Sequence, residues 1–293
     1  MGCCIDVMAE DESNETEKTD DDTEKSDGDH NLKVRDSGGD GRPVVLIHGW
    51  PLSGLSWSEQ TGPLTDAGYR VLAYDRRGFG DSDPGDKYDY DSLADDLDNV
   101  LTELDLSDVT LVGFSMGGGE VARYASKHGE DRLHSVVFAG AIPPFLLKSD
   151  DNPDGPLTEE AAKGMRDGLE EDRDGFFDDF MTTFFSVGDD LKVSDEQRQN
   201  AVTLCKQSNE EAALGCMDAF SRTDLRDDLP KITVPTLVIH GDSDVIVPFE
   251  GSGQRTHDAI EGSELVVIEG APHGFNVSHA SEFNEALLAF LEK

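Results

Sequence analysis

Cysteine is scarce, basic residues are far outnumbered by acids, and long apolar runs are missing. Four cysteines in 293 residues, none at CxxC spacing, offer neither a zinc site nor a redox pair. Cys205 and Cys216 are eleven positions apart in what reads as one helix, roughly 16 Å along its axis and too far to bridge. No stretch approaches the roughly 18 consecutive apolar residues of a membrane span. The start has neither the basic n-region nor the apolar h-region of a secretory signal, so a soluble cytoplasmic protein without membrane contact is expected. Asp6 stands where a myristoylation signal carries Ser or Thr, which leaves an unstructured start as the reading of Met1-Gly2-Cys3-Cys4. The shortage of lysine and arginine excludes a basic patch that could neutralise phosphates, and with it nucleic-acid binding.

What the chain has in excess is negative charge: 63 Asp and Glu against 24 Lys and Arg, a formal net of -39. Residues 1–30 hold 12 of the acids and two lysines, so the remainder still carries 51 acids against 22 bases. The acidity therefore belongs to the folded body as well as to the tail. Like-charge crowding of this kind opposes the compact state in dilute buffer, and concentrated salt quiets it by shrinking the Debye length to about 3 Å at 1 M. A protein adapted to high intracellular salt is expected, and the composition resembles that of halophile proteins.

Residues 1–30 are polar and acid-rich, too poor in apolar surface to repay ordering, and read as a disordered tail. From residue 31 the pattern changes. Leu32-Lys33-Val34-Arg35 can alternate as an edge strand, and Pro43-Val44-Val45-Leu46-Ile47-His48 has the continuous β-branched character of a strand covered on both faces. Similar runs recur at 70–74, 109–113, 134–139, 236–240 and 265–268, with helical stretches at 91–104, 116–128, 250–260 and 281–291. That alternation predicts a mostly parallel, doubly wound α/β sheet. Between Pro143-Pro144 and Pro235 the rhythm breaks. Helical patterns at 158–171, 175–186 and 194–220 predict an insertion over 145–231 that caps a core made of 31–144 and 232–293. Phe176, Phe177, Phe180, Phe184 and Phe185 crowd its middle piece, where core packing and substrate contact are both open.

The strongest local signal is Gly113-Phe114-Ser115-Met116-Gly117, a G-x-S-x-G match that follows an apolar strand directly and opens a helix. A turn that sharp needs small neighbours, and it exposes the serine Oγ beside the positive end of the helix. Serine is a weak nucleophile unless a base takes its proton and a carboxylate holds that base in the right tautomer. With this elbow the order along the chain is serine, acid, histidine. Strand 236–240 runs into Gly241-Asp242-Ser243-Asp244, and strand 265–268 into Gly270-Ala271-Pro272-His273-Gly274. His273 is the candidate base, ahead of His240, His257 and His279, because it alone lies in a loop beyond the last strand. An Asp just after a strand commonly ties down its own turn, the role expected of Asp242, which leaves Asp244 to reach the imidazole. The oxyanion of acyl transfer needs backbone donors. Met116, which follows the nucleophile, supplies one; Trp50 in His48-Gly49-Trp50-Pro51 supplies the other, since Pro51 has no N–H. Tyr74-Asp75-Arg76-Arg77-Gly78-Phe79-Gly80-Asp81-Ser82 lacks the ending of a phosphate loop and reads as structural, its charges pairing locally.

Together, residues 48–53, 74–80, 113–120, 234–244 and 271–274 resemble the cofactor-free bacterial haloperoxidases and arylesterases of the α/β-hydrolase superfamily. The resemblance covers roughly residues 31–293. It implies an α/β-hydrolase fold with a sheet of about eight strands and a helical cap, and assigns the acid to the second Asp of Gly241-Asp242-Ser243-Asp244. It implies hydrolysis of small or aryl carboxylic esters through an acyl-serine, with no haem, metal or other cofactor. Perhydrolysis follows as a side activity, in which peroxide attacks the acyl-enzyme and the peracid oxidises halide. Peroxide-dependent oxidation as the main activity and a non-catalytic binding module on the same scaffold are the alternatives. The expected partner is a small-molecule ester; a homo-oligomer stays open, as do acyl and alcohol preference. From the charge alone, the melting temperature should rise from low salt to molar KCl, and a curve that is flat or falls would remove the high-salt reading.

Overall fold

The computed structural model describes the strand at residues 5–8 and residues 31–293. In chain order the strands are β1 (Ile5–Met8), β2 (Leu32–Asp36), β3 (Pro43–Ile47), β4 (Arg70–Tyr74), β5 (Val109–Phe114), β6 (Leu133–Ala139), β7 (Ser186–Val187), β8 (Asp190–Leu191), β9 (Thr236–Gly241) and β10 (Glu264–Ile268). The helices are α1 (Ser58–Asp66), α2 (Tyr90–Glu103), α3 (Met116–His128), α4 (Glu159–Glu171), α5 (Arg173–Phe184), α6 (Asp195–Lys206), α7 (Glu210–Arg222), α8 (Gly253–Ala259), α9 (Phe275–Ser278) and α10 (Ala280–Leu291).

One sheet runs in the order β1-β2-β4-β3-β5-β6-β9-β10, with β2 antiparallel to β4 and every other neighbouring pair parallel. Side chains alternate across a strand, so each central strand feeds two cores. Val44 and Leu46 of β3, with Val112 and Phe114 of β5, pack in the layer of Leu64 from α1 and Leu287 from α10. Val45 and Ile47, with Val109 and Leu111, face Leu97 and Leu101 of α2 and Val121 of α3. Both faces are covered, which is why these strands are apolar throughout. This is the α/β-hydrolase architecture. Among the described residues no helix is long and apolar enough to cross a membrane.

Several details differ from the sequence reading. Strand β1 pairs with β2 inside the stretch expected to be unstructured, at Ile5-Asp6-Val7-Met8, where that stretch is least polar. The rest of the tail expected over 1–30 lies outside the described residues. The single helix expected over 194–220 is two, α6 and α7. Asn209 accepts from the Ala212 amide at 3.1 Å, and Glu210 and Glu211 fill the first turn, a start signal that the apolar periodicity on either side hides. Cys205 and Cys216 therefore sit on different helices, both buried and free. Helix α1 has no counterpart in the sequence reading, because Pro63 within nine residues and a weak apolar face conceal it.

The Tyr74–Ser82 loop is structural, but its charges do not pair locally. Arg77 holds Asp96 of α2 through two 2.6 Å hydrogen bonds, and Asp75 accepts from Arg35 of β2 at 2.6 Å and from the Gly54 amide at 2.8 Å. Arg77 and Asp96 are both buried. Breaking such a pair from one side leaves a buried charge uncompensated, at about 3–5 kcal/mol. Asp96→Ala should lower stability by that amount in urea titration, and Asp96→Ala with Arg77→Met should recover much of it.

Candidate active site

Parallel pairing of β3, β5, β9 and β10 sends their C-terminal ends to one edge of the sheet, where ligands bind in such folds. Trp50 follows β3, Ser115 follows β5, Asp244 follows β9 and His273 follows β10. Residues up to 223 positions apart in the sequence thus come to one place.

Ser115 sits between β5 and α3 with φ 53° and ψ -117°, a backbone conformation that costs a non-glycine residue about 1–3 kcal/mol. Its neighbours must be small. A Cβ on Gly113 or Gly117 would come within 2.5 Å of backbone oxygen, that of Gly117 in one case and of Ile47 in the other. The loop after β3 lies just as close: a Cβ on Gly49 would approach the Phe114 ring at 2.8 Å and the Ser115 Cβ at 3.1 Å.

The His273 Nε2 is 2.9 Å from Ser115 Oγ, and its Nδ1 is 2.6 Å from Asp244 Oδ2. A carboxylate accepts, so Nδ1 carries the proton and Nε2 is left to accept from the hydroxyl. The imidazole is wedged between Phe114 and Phe184, whose ring centroids lie 5.2 and 4.9 Å away. Asp244 Oδ1 accepts from the amides of Ile246 and Val247 at 2.9 and 2.8 Å. The turn-binding role expected of Asp242 thus belongs to Asp244 itself. Asp242 Oδ1 instead accepts from the Gly270 amide at 2.7 Å and so ties the acid loop to the loop carrying His273. Burial alone would raise the Asp244 carboxyl. The charge of His273 and hydrogen bonds from His240 and His273 outweigh it and bring the carboxyl down to about 2.

Beneath the loop after β3 lies a buried polar network that sequence reasoning missed. The Arg76 Nη2 donates to the His48 carbonyl at 2.9 Å and its Nε to Glu120 Oε2 at 2.9 Å, while Tyr74 donates to the other Glu120 oxygen. Burial pushes the Glu120 carboxyl well above its usual range. The Arg76 amide donates to His48 Nε2 at 3.0 Å, which leaves Nδ1 to donate to the Gly49 carbonyl at 2.9 Å. Burial, and then the nearby Arg76 charge, hold His48 well below its ordinary range, consistent with that neutral tautomer. A lone glutamate between Gly119 and Val121 in the glycine-rich, apolar first turns of α3 was the available signal.

Ser115 opens into a cavity of about 460 Å³ walled mainly by apolar side chains, among them Trp50, Ile142, Met165, Phe176, Phe180 and Phe220. Helices α4, α5 and α7 supply much of that wall. Trp50 fastens α5 and α7 to the sheet: its indole N–H donates to the Ala213 carbonyl of α7 at 2.9 Å, and its ring meets Phe176, Phe177, Phe180 and Phe220 edge-on. Of the five clustered phenylalanines, Phe176 and Phe180 face the cavity, while Phe177, Phe184 and Phe185 are buried. The other histidines stay apart from Ser115: His257 bonds Ser263, and His279 bonds Ser278.

A serine on a strained strand-to-helix elbow, at the carboxyl edge of a mostly parallel sheet, defines one class of enzymes, the hydrolases of α/β architecture. The chain belongs to the alpha/beta hydrolase fold family, whose family profile matches residues 42–280. It is 46% identical over 259 residues to a non-heme chloroperoxidase of Kitasatospora aureofaciens, spanning 87% of this chain and 94% of that one. A bifunctional esterase/perhydrolase of Acinetobacter calcoaceticus is 36% identical over 86% of this chain and 92% of its own. Among solved structures, a bromoperoxidase from Bacillus anthracis superposes with a TM-score of 0.88 at 52% identity, covering 89% of this chain and 95% of that one.

A carboxyl held lower in the folded state stabilises the fold above its unfolded value and loses that contribution as pH falls toward the folded one. For Asp244 the window is about pH 4 down to 2, and the contribution is on the order of 2 kcal/mol. The stability gap between wild type and Asp244→Asn should therefore narrow by that order across the window in urea titrations, and a constant gap would contradict the ionised pair.

Proposed function

We propose that the protein is a cytoplasmic serine hydrolase that cleaves small or aryl carboxylic esters through an acyl-Ser115 intermediate. The observation that carries this reading is the continuous relay from Asp244 through His273 to Ser115 at the base of an apolar cavity. Ser115 Oγ attacks the ester carbonyl while its proton passes to His273 Nε2. Asp244 steadies the imidazolium that forms. Collapse of the tetrahedral intermediate breaks the bond to the alkoxy oxygen, and the alcohol leaves with the proton held on Nε2. Water then enters, gives a proton to the same nitrogen and attacks the acyl carbon, which releases the acid and restores the hydroxyl.

The Trp50 and Met116 amides are the donors for the oxyanion, each worth about 3–4 kcal/mol. Two features support Trp50. The Gly49 carbonyl accepts from His48 Nδ1 and from the Leu52 amide at 3.0 Å. In a trans peptide the following N–H points the opposite way, which turns the Trp50 N–H away from those anchors. Met116 is the first residue of α3, whose amides and dipole favour developing negative charge.

The same acyl-enzyme attacked by hydrogen peroxide yields a peracid, and the peracid then oxidises halide in solution. That second activity is supported by the likeness to a chloroperoxidase and to an esterase/perhydrolase. The apolar cavity fits acyl groups without charge, and the α4–α7 insertion acts as the cap that selects them.

Assayed in high salt against p-nitrophenyl esters of rising chain length, the wild type should be active and labelled by a fluorophosphonate. Ser115→Ala should be unlabelled and slower by several orders of magnitude in kcat. A folded wild type that resists the probe would favour a binding module. Halogenation that proceeds without a short carboxylate buffer would remove the peracid route.

A further inference from the structure

A second histidine stands against the proposed catalytic acid. His240, the fifth residue of β9, is fully buried, and its Nε2 lies 2.7 Å from the Val247 carbonyl and 3.4 Å from Asp244 Oδ2. Both neighbours accept, so Nε2 carries the proton. The Nδ1 is buried and has no hydrogen-bond partner among the described residues; it faces the backbone of Gly253, where an added Cβ would collide with it. An N–H placed on that atom would be buried with no acceptor among the described residues, so the ring donates through Nε2 alone.

We propose that His240 is a positioning residue for Asp244, acting as a clamp on the turn that carries the acid. This rests on the serine-hydrolase reading above. The turn is held from two sides. Asp244 Oδ1 takes the Ile246 and Val247 amides, and His240 takes the Val247 carbonyl from beneath. Oδ2 is thereby left facing His273 Nδ1 at 2.6 Å. Ile246 and Val247 also line the substrate cavity, so one imidazole sets both the aim of the carboxylate and the shape of that wall.

His240→Leu removes the donor. It should lower kcat, and the rate of fluorophosphonate labelling of Ser115, by about 10- to 100-fold, the range found when hydrogen-bonding partners of metal-site ligands are lost. His240→Gln can place an amide N–H near the same position and should restore most of both rates. The reading that separates positioning from general stability is a double-mutant cycle. In the Asp244→Asn background His240→Leu should change the labelling rate by less than about threefold, because it acts through a carboxylate no longer present. Should the leucine variant fail to fold, His240→Asn takes its place, since its shorter amide falls short of the Val247 carbonyl, with the same loss expected. A folded Leu or Asn variant with wild-type kcat and labelling, or equal losses in both backgrounds, would overturn the proposal. Wild-type activity that survives Ser115→Ala would instead overturn the hydrolase reading on which it stands.

Discussion

A carboxylate that is buried and yet ionised is the constraint around which the site is arranged. Burial by itself would raise the Asp244 carboxyl, and a neutral acid would accept the His273 N–H less strongly than a carboxylate does. The charge of His273 and hydrogen bonds from His240 and His273 keep it ionised, and two backbone amides hold its other oxygen in place. His273 reaches Asp244 because β9 and β10 are adjacent and parallel, so their loops leave the sheet side by side. The hydrogen bond from the Gly270 amide to Asp242 holds the two loops in register.

Ser115 meets that pair through a different kind of constraint, the absence of side chains. Glycines at 113 and 117 let the elbow close against backbone oxygens, and Gly49 lets the neighbouring loop lie on Ser115. The unfavourable backbone of Ser115 is sustained by the strands and the helix packed around it, whose apolar faces are buried in two layers. Trp50 then joins the sheet to the helical insertion through one hydrogen bond and four ring contacts. The residue proposed as an oxyanion donor through its backbone thus anchors the cavity wall with its side chain.

Most of the sheet was legible because buried parallel strands are unbroken apolar runs, and because the elbow serine announces itself by strand, motif and helix together. The pairing of Ser115, Asp244 and His273 could be argued from chain order and loop position. Where the reading failed, the signal was local and faint. The break between α6 and α7 turns on a single capping asparagine, and α1 carries an internal proline. Charges in the Tyr74–Ser82 loop found partners on β2, α2 and α3 that no spacing rule connects to them. The sequence offers His240 only as a rival base, and its contact with Asp244 depends on how the acid loop folds back over β9.

By itself the sequence determined the class of fold, the elbow and the three side chains proposed for catalysis, since hydrophobic period and residue order encode those directly. Only the tertiary structure decided which phenylalanines face the cavity, which aspartate binds its own turn and which histidine supports the acid. Those outcomes depend on contacts between segments far apart in the chain, whose distances and directions exist only after the elements have packed.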